Sequence, residues 1–556
     1  MFDLRIRGGT LIDGTGAAPR TADVGVSDGK IAAIGRLDEP ARRDIDATGL
    51  LVTPGFVDIH AHYDGQATWD SQLTPSAWHG VTTVVMGNCG VGFSPCRAED
   101  RDRLVELMEG VEDIPGTALH EGLSWEWESF PEYLDLLAAR PRDVDVGVLV
   151  PHGPVRLYVM GERGARREPA TPAEIAEMGR LVREGVEAGA FGFSTSRTLN
   201  HRTSTGEPTP MLGAAGEELI GIANAMRACG RGAFEVVSDY DDLEAEFAVF
   251  RRIAETGAPT YLSLNQNKKG GYLAVLERVE RAANEGLPIA AQVAVRPIGV
   301  LFSIDGTLSP FLLNPVWQAL PQEHDARVEA LREPAFRARL IDAAGDPKHV
   351  FGAYDCFFEV DATPDYEPPP EASIAAIAEK QGRHPVEILC DRLLADEGRG
   401  LVYYPIFNYD TGDLEAQRHL LEHPRTLVGL ADGGAHSGII CDASFPTTLL
   451  SLWGRDRSRG PKLDLPWLVK AQTADTAAAY GLRDRGRIEP GLRADLNLID
   501  FANLRCRRPA LIRDLPAGGR RFVQKAVGYV ATLVAGEVTY ENGEATGARP
   551  GRLVRS

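Results

Sequence analysis

Apolar positions recur along this chain in two rhythms. At the N-terminal end the period is two: Asp3-Leu4-Arg5-Ile6-Arg7 alternates before Gly8-Gly9. Ala22-Asp23-Val24-Gly25-Val26 then leads through Asp28-Gly29 into Lys30-Ile31-Ala32-Ala33-Ile34. Alternation reads as half-buried strand, and Asp-Gly between two such runs reads as a tight hairpin. The C-terminal end repeats the pattern in Ala494-Asp495-Leu496-Asn497-Leu498-Ile499-Asp500 and in Tyr529-Val530-Ala531-Thr532-Leu533-Val534-Ala535. Two β-rich ends around a long middle predict one small β domain, a β-sandwich formed from both termini, residues 1–53 and 485–556.

Between the ends, strand-like runs alternate with stretches of helical spacing. Strands are predicted at 52–60, 81–88, 145–151, 190–195, 233–238, 259–264, 288–295 and 425–431. A helix is predicted over 172–182, where apolar residues recur every three or four positions. Eight strands alternating with helices fit an α/β fold of the (β/α)8 TIM barrel type, placed over 54–484. Residues 299–370 are irregular and rich in aromatics and proline, so they read as an insertion forming a lid over the barrel mouth.

Composition narrows the function classes. At 556 residues the chain exceeds one ordinary core, and its 44% hydrophobic and 25% charged content is that of a globular protein. A net charge of −20 argues against a nucleic-acid footprint. No apolar run approaches the roughly 20 residues of a membrane span, and the N-terminus lacks a signal-peptide pattern. Seven scattered cysteines do not form a disulfide framework, so a cytoplasmic protein is expected. The expected partner is a small molecule, and assembly into a homo-oligomer is left open.

The chemistry concentrates where predicted strands end. In a barrel, functional groups gather at the C-terminal ends of the strands. The first ends in His60-Ala61-His62, and residues two apart on a strand face the same way, so both imidazoles project to one side as a start to a metal site. The second ends in Met86-Gly87-Asn88-Cys89-Gly90, which sets a thiol beside them; on its own Cys89 reads rather as a small buried residue, and the flanking glycines favour the ligand reading. The last ends in Leu430-Ala431-Asp432-Gly433-Gly434-Ala435-His436, a carboxylate suited to binding metal and moving a proton, although Asp-Gly is also a common turn. His436 reads as a substrate contact or a loop histidine, and His152 as a structural group. Arg197, Lys268 and Arg296 follow the fourth, sixth and seventh strands and are candidates to hold a substrate carboxylate.

These motifs resemble the amidohydrolase superfamily, and within it the N-acyl-D-amino-acid deacylases (D-aminoacylases). The matching text is Pro54-Gly55-Phe56-Val57-Asp58-Ile59-His60-Ala61-His62, then Gly80 through Asn88-Cys89-Gly90, Gly192-Phe193-Ser194-Thr195, Asp432-Gly433, and the closing stretch from Asp484-Arg485-Gly486 to Ala494-Asp495-Leu496. The resemblance implies metal-dependent amide hydrolysis through a metal-activated water, with His60, His62, Cys89 and Asp432 as the zinc-binding set and Asp432 as the proton shuttle. It also exposes a departure. The family carries histidines at the ends of the fifth and sixth strands, whereas here those segments read Phe234-Glu235-Val236-Val237-Ser238 and Tyr261-Leu262-Ser263-Leu264-Asn265. One zinc ion per chain is therefore expected. Two other readings stay open: a cyclic-amide hydrolase of the hydantoinase type, against which stands the lack of a lysine in Gly192–Arg197, and a metal-poor, non-hydrolytic descendant that binds a small ligand.

Overall fold

The alternating ends of the chain do come together. In the computed structural model, which describes residues 1–266 and 270–556, they form one nine-stranded sheet. Leu51–Pro54 pairs antiparallel with Leu496–Ile499, and this pairing joins the two termini. Phe2–Leu11 forks: its first half pairs with Ala41–Asp46 and its last two residues with Leu51–Pro54, while Arg20–Ser27 covers its other edge. The sheet has its own apolar core, including Ile6, Val24, Val52, Leu496, Leu498 and Leu533. Asp28 and Gly29 are both left-handed, at φ 51° and 71°, as a two-residue hairpin turn of the predicted kind requires.

The run predicted as one strand over 52–60 is two. Leu51–Pro54 belongs to the terminal sheet, and a new strand starts at Phe56. The break falls at Gly55, where a Cβ would lie 2.2 Å from the Thr82 hydroxyl, so only glycine passes this crossing. Eight parallel strands follow in sequence order: β1 Phe56–Ala61, β2 Val81–Met86, β3 Asp145–Val148 (continued by Val150–Pro151), β4 Gly192–Arg197, β5 Ala233–Ser238, β6 Thr260–Ser263, β7 Ile289–Val293 and β8 Thr426–Val428. Each pairs with the next, in two sheets that meet within β3. Beyond β8 the chain returns to β1: Asp432 N–H donates to His60 O (3.1 Å) and His62 N–H to Gly433 O (2.7 Å).

Helices connect the strands. Pro172–Glu187, longer than predicted, starts at a capping box of Thr171 and Glu174 and buries Met178, Val182 and Val186, four residues apart. The insertion also differs from its prediction. It is not irregular but a unit with its own core of Val300, Phe302, Leu331, Phe357, Leu389 and Val402, and a three-stranded sheet of Ile298–Phe302, Val402–Phe407 and Phe358–Glu359. It extends past residue 370 because the helix Pro385–Gly398 packs into that core. Among the described residues, no helix is long and apolar enough to cross a membrane.

A buried ion network ties the terminal sheet to the central strands. Asp145, fully buried at the start of β3, accepts from Arg485 (2.6 Å) and Arg493 (3.0 Å), and Arg493 also donates to Asp495 (3.0 Å). Asp145→Ala would leave two buried guanidinium groups without this shared acceptor. We expect roughly 3–5 kcal/mol of lost stability, read as a lower denaturant midpoint at unchanged m-value.

Candidate active site

The end of β1 sets the geometry. Strand alternation sends His60 and His62 to the same side, and their ring centroids lie 5.4 Å apart. His60 Nδ1 is 2.9 Å from Gln292 Oε1 on β7, which leaves Nε2 facing Cys89 Sγ at 3.3 Å and Asp432 Oδ1 at 3.4 Å. His62 Nε2 is 3.6 Å from the same Asp432 oxygen. One ligand atom from each of His60, His62 and Cys89 lies within 4.8 Å of the others.

Tight backbone turns make this convergence. The Asn88 side-chain amide donates to Ala61 O (3.2 Å) and Val85 O (2.9 Å), which pins the turn after β2 against β1. A Cβ on Gly87 would meet Leu149 O at 2.4 Å, and its φ of 83° excludes other residues in any case. Cys89, Leu430, Asp432 and His436 are all left-handed at φ 57°, 57°, 49° and 47°. Non-glycine residues hold that conformation only where surrounding contacts impose it, and such positions cluster at functional sites.

The places where histidines were missing are filled. Glu235 on β5 is fully buried; its Oε2 accepts the Cys89 N–H at 3.1 Å and its Oε1 accepts the Ser263 hydroxyl of β6 at 3.3 Å. Glu112, 1% exposed, faces the other side of His62, with Oε1 3.3 Å from Nδ1. His201 also borders the group, held through Nδ1 by the Ser196 hydroxyl at 2.9 Å.

The electrostatics are those of a site built for a cation. Burial lowers His60 to about 4 and His62 to about 3, so both are neutral near pH 7, the form that binds metal. Burial pushes the Cys89 thiol well up, and the nearby Glu235, Glu112, Asp432 and Asp64 push it further. Glu235 is raised to about 8 by burial, and Glu112 well above its usual range. Both nitrogens of buried His62 lack a hydrogen bond. Two neutral imidazoles, a thiol and several carboxylates drawn together inside a protein are a poor arrangement until a divalent ion sits among them. The donor set of two histidines, a cysteine and an aspartate suits zinc.

Of the residues predicted from sequence, His60, His62, Cys89 and Asp432 form this group, and His436 stands at its rim, 28% exposed, with Nε2 3.5 Å from Glu112 Oε2. Two predicted substrate contacts are engaged elsewhere. Arg197 donates to Ala214 O (2.7 Å) and faces Glu246 (3.5 Å). Arg296 is 1% exposed, pairs with Asp442 at 2.8 Å and lies 3.7 Å over the Tyr366 ring, so it belongs to the packing around the site rather than to an open surface. Lys268 lies outside the described residues. His152 is structural as expected, between Thr195 (2.8 Å) and Glu218 (2.9 Å).

A cavity opens beside His62 and Asp432, walled by Trp69, Ile114, Leu515 and Phe522. None of its lining residues comes from 299–370; the far wall is the C-terminal hairpin of Ala510–Leu515 and Gly519–Val523. Arg521 clamps that hairpin in place, with all five N–H groups spent on Asp514, Gln66 and Thr74.

Comparison with known proteins agrees with this geometry. A model described as the amidohydrolase family matches residues 43–540. An N-acyl-D-aspartate deacylase of Alcaligenes xylosoxydans xylosoxydans is 27% identical over 564 residues, covering 99% of this chain and 95% of its own. A D-aminoacylase structure, solved in work on its binuclear metal center with one-metal activation and second-metal attenuation, aligns at 25% identity and TM-score 0.66, with both chains covered in full. So does an N-acyl-D-glutamate deacylase from Bordetella bronchiseptica, in complex with zinc and a phosphonate inhibitor, at 25% identity and TM-score 0.65 with full coverage of both chains.

Cys89→Ser keeps the shape of the turn but removes the soft ligand. Competition with a chromophoric chelator should show zinc held about tenfold or more weaker, whereas Cys96→Ser, a buried thiol outside the ligand group, should leave it unchanged.

Proposed function

The chain belongs to the amidohydrolase family, and from that footing we propose that it is a zinc-dependent deacylase of N-acyl amino acids, of the D-type named among its relatives. In this reading the eight parallel strands make a (β/α)8 barrel, with the site at the mouth where the loop after β8 meets the end of β1. His60, His62 and Cys89 would hold the ion, with Asp432 at its edge. When bound, the ion supplies a Lewis acid that polarises the scissile carbonyl and makes water a better nucleophile at neutral pH.

The observation that carries the proposal is the position of Asp432. Its Oδ1 stands within 3.6 Å of both histidines, yet its side chain is 14% exposed and lines the cavity where a substrate would enter. It is thus the member of the group that reaches both the buried ligands and the open side. A carboxylate so placed can take a proton from the attacking water and return it to the amide nitrogen as the C–N bond breaks. His436, on the same loop as Asp432 and 28% exposed, is the residue proposed to contact substrate. The apolar walls of Trp69, Ile114, Leu515 and Phe522 exclude water around the reacting amide.

Turnover of paired N-acyl-D- and N-acyl-L-amino acids, with and without added zinc, tests the activity. Asp432→Asn keeps the shape and removes the base, so kcat should fall by about 10²–10⁴ while zinc content stays near one per chain. Near-normal kcat in this variant would overturn the role of Asp432, and a wild-type protein that hydrolyses no amide in the panel would overturn the function.

A further inference from the structure

A carboxylate that lies outside the strand ends reaches two histidines at once. Glu112 is the last residue of the helix Arg101–Glu112, which packs Leu104, Leu107, Met108 and Val111 into the core. The helix stops there because Asp113 is left-handed, φ 50°. At that stop two successive carboxylates diverge. Glu112 points inward, 1% exposed, with Oε1 3.3 Å from His62 Nδ1 and Oε2 3.5 Å from His436 Nε2. Asp113 points to the loop after β8, where it accepts the Gly438 N–H at 3.0 Å, and to the insertion, where it accepts the Thr307 hydroxyl at 3.2 Å. Gly438 is two residues beyond His436. One helix end therefore meets both the ring of His436 and the backbone that carries it.

An imidazole that binds metal through one nitrogen must place the proton of the other, and the acceptor it finds decides which nitrogen faces the ion. For His60 that acceptor is Gln292 Oε1, 2.9 Å from Nδ1, and Nε2 is left toward Cys89 and Asp432. His62 is oriented in the same sense, Nε2 3.6 Å from Asp432 and Nδ1 3.3 Å from Glu112, although neither approach is a formed hydrogen bond. The two outer acceptors are not equivalent. Gln292 serves one ring and is neutral. Glu112 is acidic and its second oxygen, buried and without a hydrogen bond, is turned to His436.

We propose that Glu112 is a positioning residue that accepts the Nδ1–H of His62, so that Nε2 faces the metal, and with its other oxygen holds His436 at the rim. This rests on the deacylase reading, in which His62 is a ligand and His436 a substrate contact. A single side chain would then join metal binding to substrate binding, and Asp113 would fix the loop across which that link runs. Neither carboxylate lies on a strand end, the part of the fold in which ligands are ordinarily sought.

The test uses the full chain and zinc alone, before any substrate. Chelator competition should show zinc affinity reduced about 10- to 100-fold in Glu112→Gln, and comparably in Gln292→Leu, whereas His436→Ala should stay within about threefold of wild type. Melting curves in excess chelator check that each variant is folded. Zinc affinity in folded Glu112→Gln within about threefold of wild type would overturn the proposal. If Glu112→Gln does not fold, nitrogen NMR of metal-free wild type decides: His62 protonated on Nδ1 supports the proposal, and on Nε2 overturns it. With substrate, Glu112→Gln should raise KM as well as lower zinc affinity, because His436 loses its anchor; a loss of zinc affinity with unchanged KM at saturating zinc would overturn the His436 half. A wild type that binds zinc as described but cleaves no amide defeats the deacylase reading and leaves the His62 half standing, while an active enzyme indifferent to Glu112→Gln defeats this inference alone.

Discussion

Two backbone hydrogen bonds, Asp432 N–H to His60 O and His62 N–H to Gly433 O, hold the candidate site together. They join the end of β1 to the loop that follows β8, residues separated by most of the chain. Without them His60 and His62 would still share a face, since alternation alone ensures that, but Asp432 would have no fixed place relative to them. The bonds are made by peptide groups, so they fix the aspartate in register with the histidines whatever the side chains do. Left-handed φ values at Leu430, Asp432 and His436 are the conformational cost of bending that loop back over the strand ends. The turn after β2 meets the same demand at Gly87 and Cys89, with Asn88 bonding across to Ala61 O. Both turns thus press against the one strand that carries the histidines.

The charge distribution around that strand is lopsided. Asp432, Glu112, Glu235 and Asp64 all act on Cys89, while burial raises Glu112, Glu235 and Asp64 and lowers His60 and His62. Among the described residues, the nearby guanidinium groups do not relieve this. Arg296 is spent on Asp442 and Tyr366, Arg197 on Ala214 and Glu246, and Arg521 on the hairpin it fastens. Buried acids are costly unless a cation offsets them. A site can bear them when a divalent ion is part of the functional state, since binding then recovers the strain as affinity.

Much of this was legible in the sequence, and the pattern of what was not is physical. Period-two alternation and Asp-Gly marked the terminal strands, and His60-Ala61-His62 needed only the geometry of a strand to become a site. The strand break at Gly55 is marked in the sequence only by Pro54-Gly55, because the residues on both sides are mostly apolar and buried, and burial looks the same whether one sheet or two receives it. The insertion was misread as irregular because its helices are short and its core is assembled from distant segments, Val300 to Val402. Glu235 and Gln292 did carry a signal: each is a lone polar group inside an otherwise apolar strand, which reads as a residue facing something polar in the interior. Glu112 carried none, since an acidic residue at the end of an amphipathic helix is ordinarily solvated. The arginines were placed correctly near strand ends, but sequence does not reveal that Asp442 and Glu246 fold back to meet them.

Exposure separates the roles within the group. His60, His62, Glu112 and Glu235 are at most 1% exposed, and Cys89 6%, so their positions are set by packing and they cannot follow a substrate. Asp432 at 14% and His436 at 28% are the two that meet solvent, and both sit on the same loop. In the proposed function the closed layer would hold the ion and the open layer would meet substrate, and the two would have to be kept in register, because a reacting group misplaced by about 1 Å costs rate. The backbone bonds at residues 60–62 and 432–433 provide that register for Asp432. For His436, three residues past Gly433, left-handed turns carry the loop away from those bonds. The loop beyond it is fastened by backbone bonds to Ser437, Gly438 and Ile439, and the end of the helix at Glu112 and Asp113 adds side-chain contacts to the His436 ring and to Gly438.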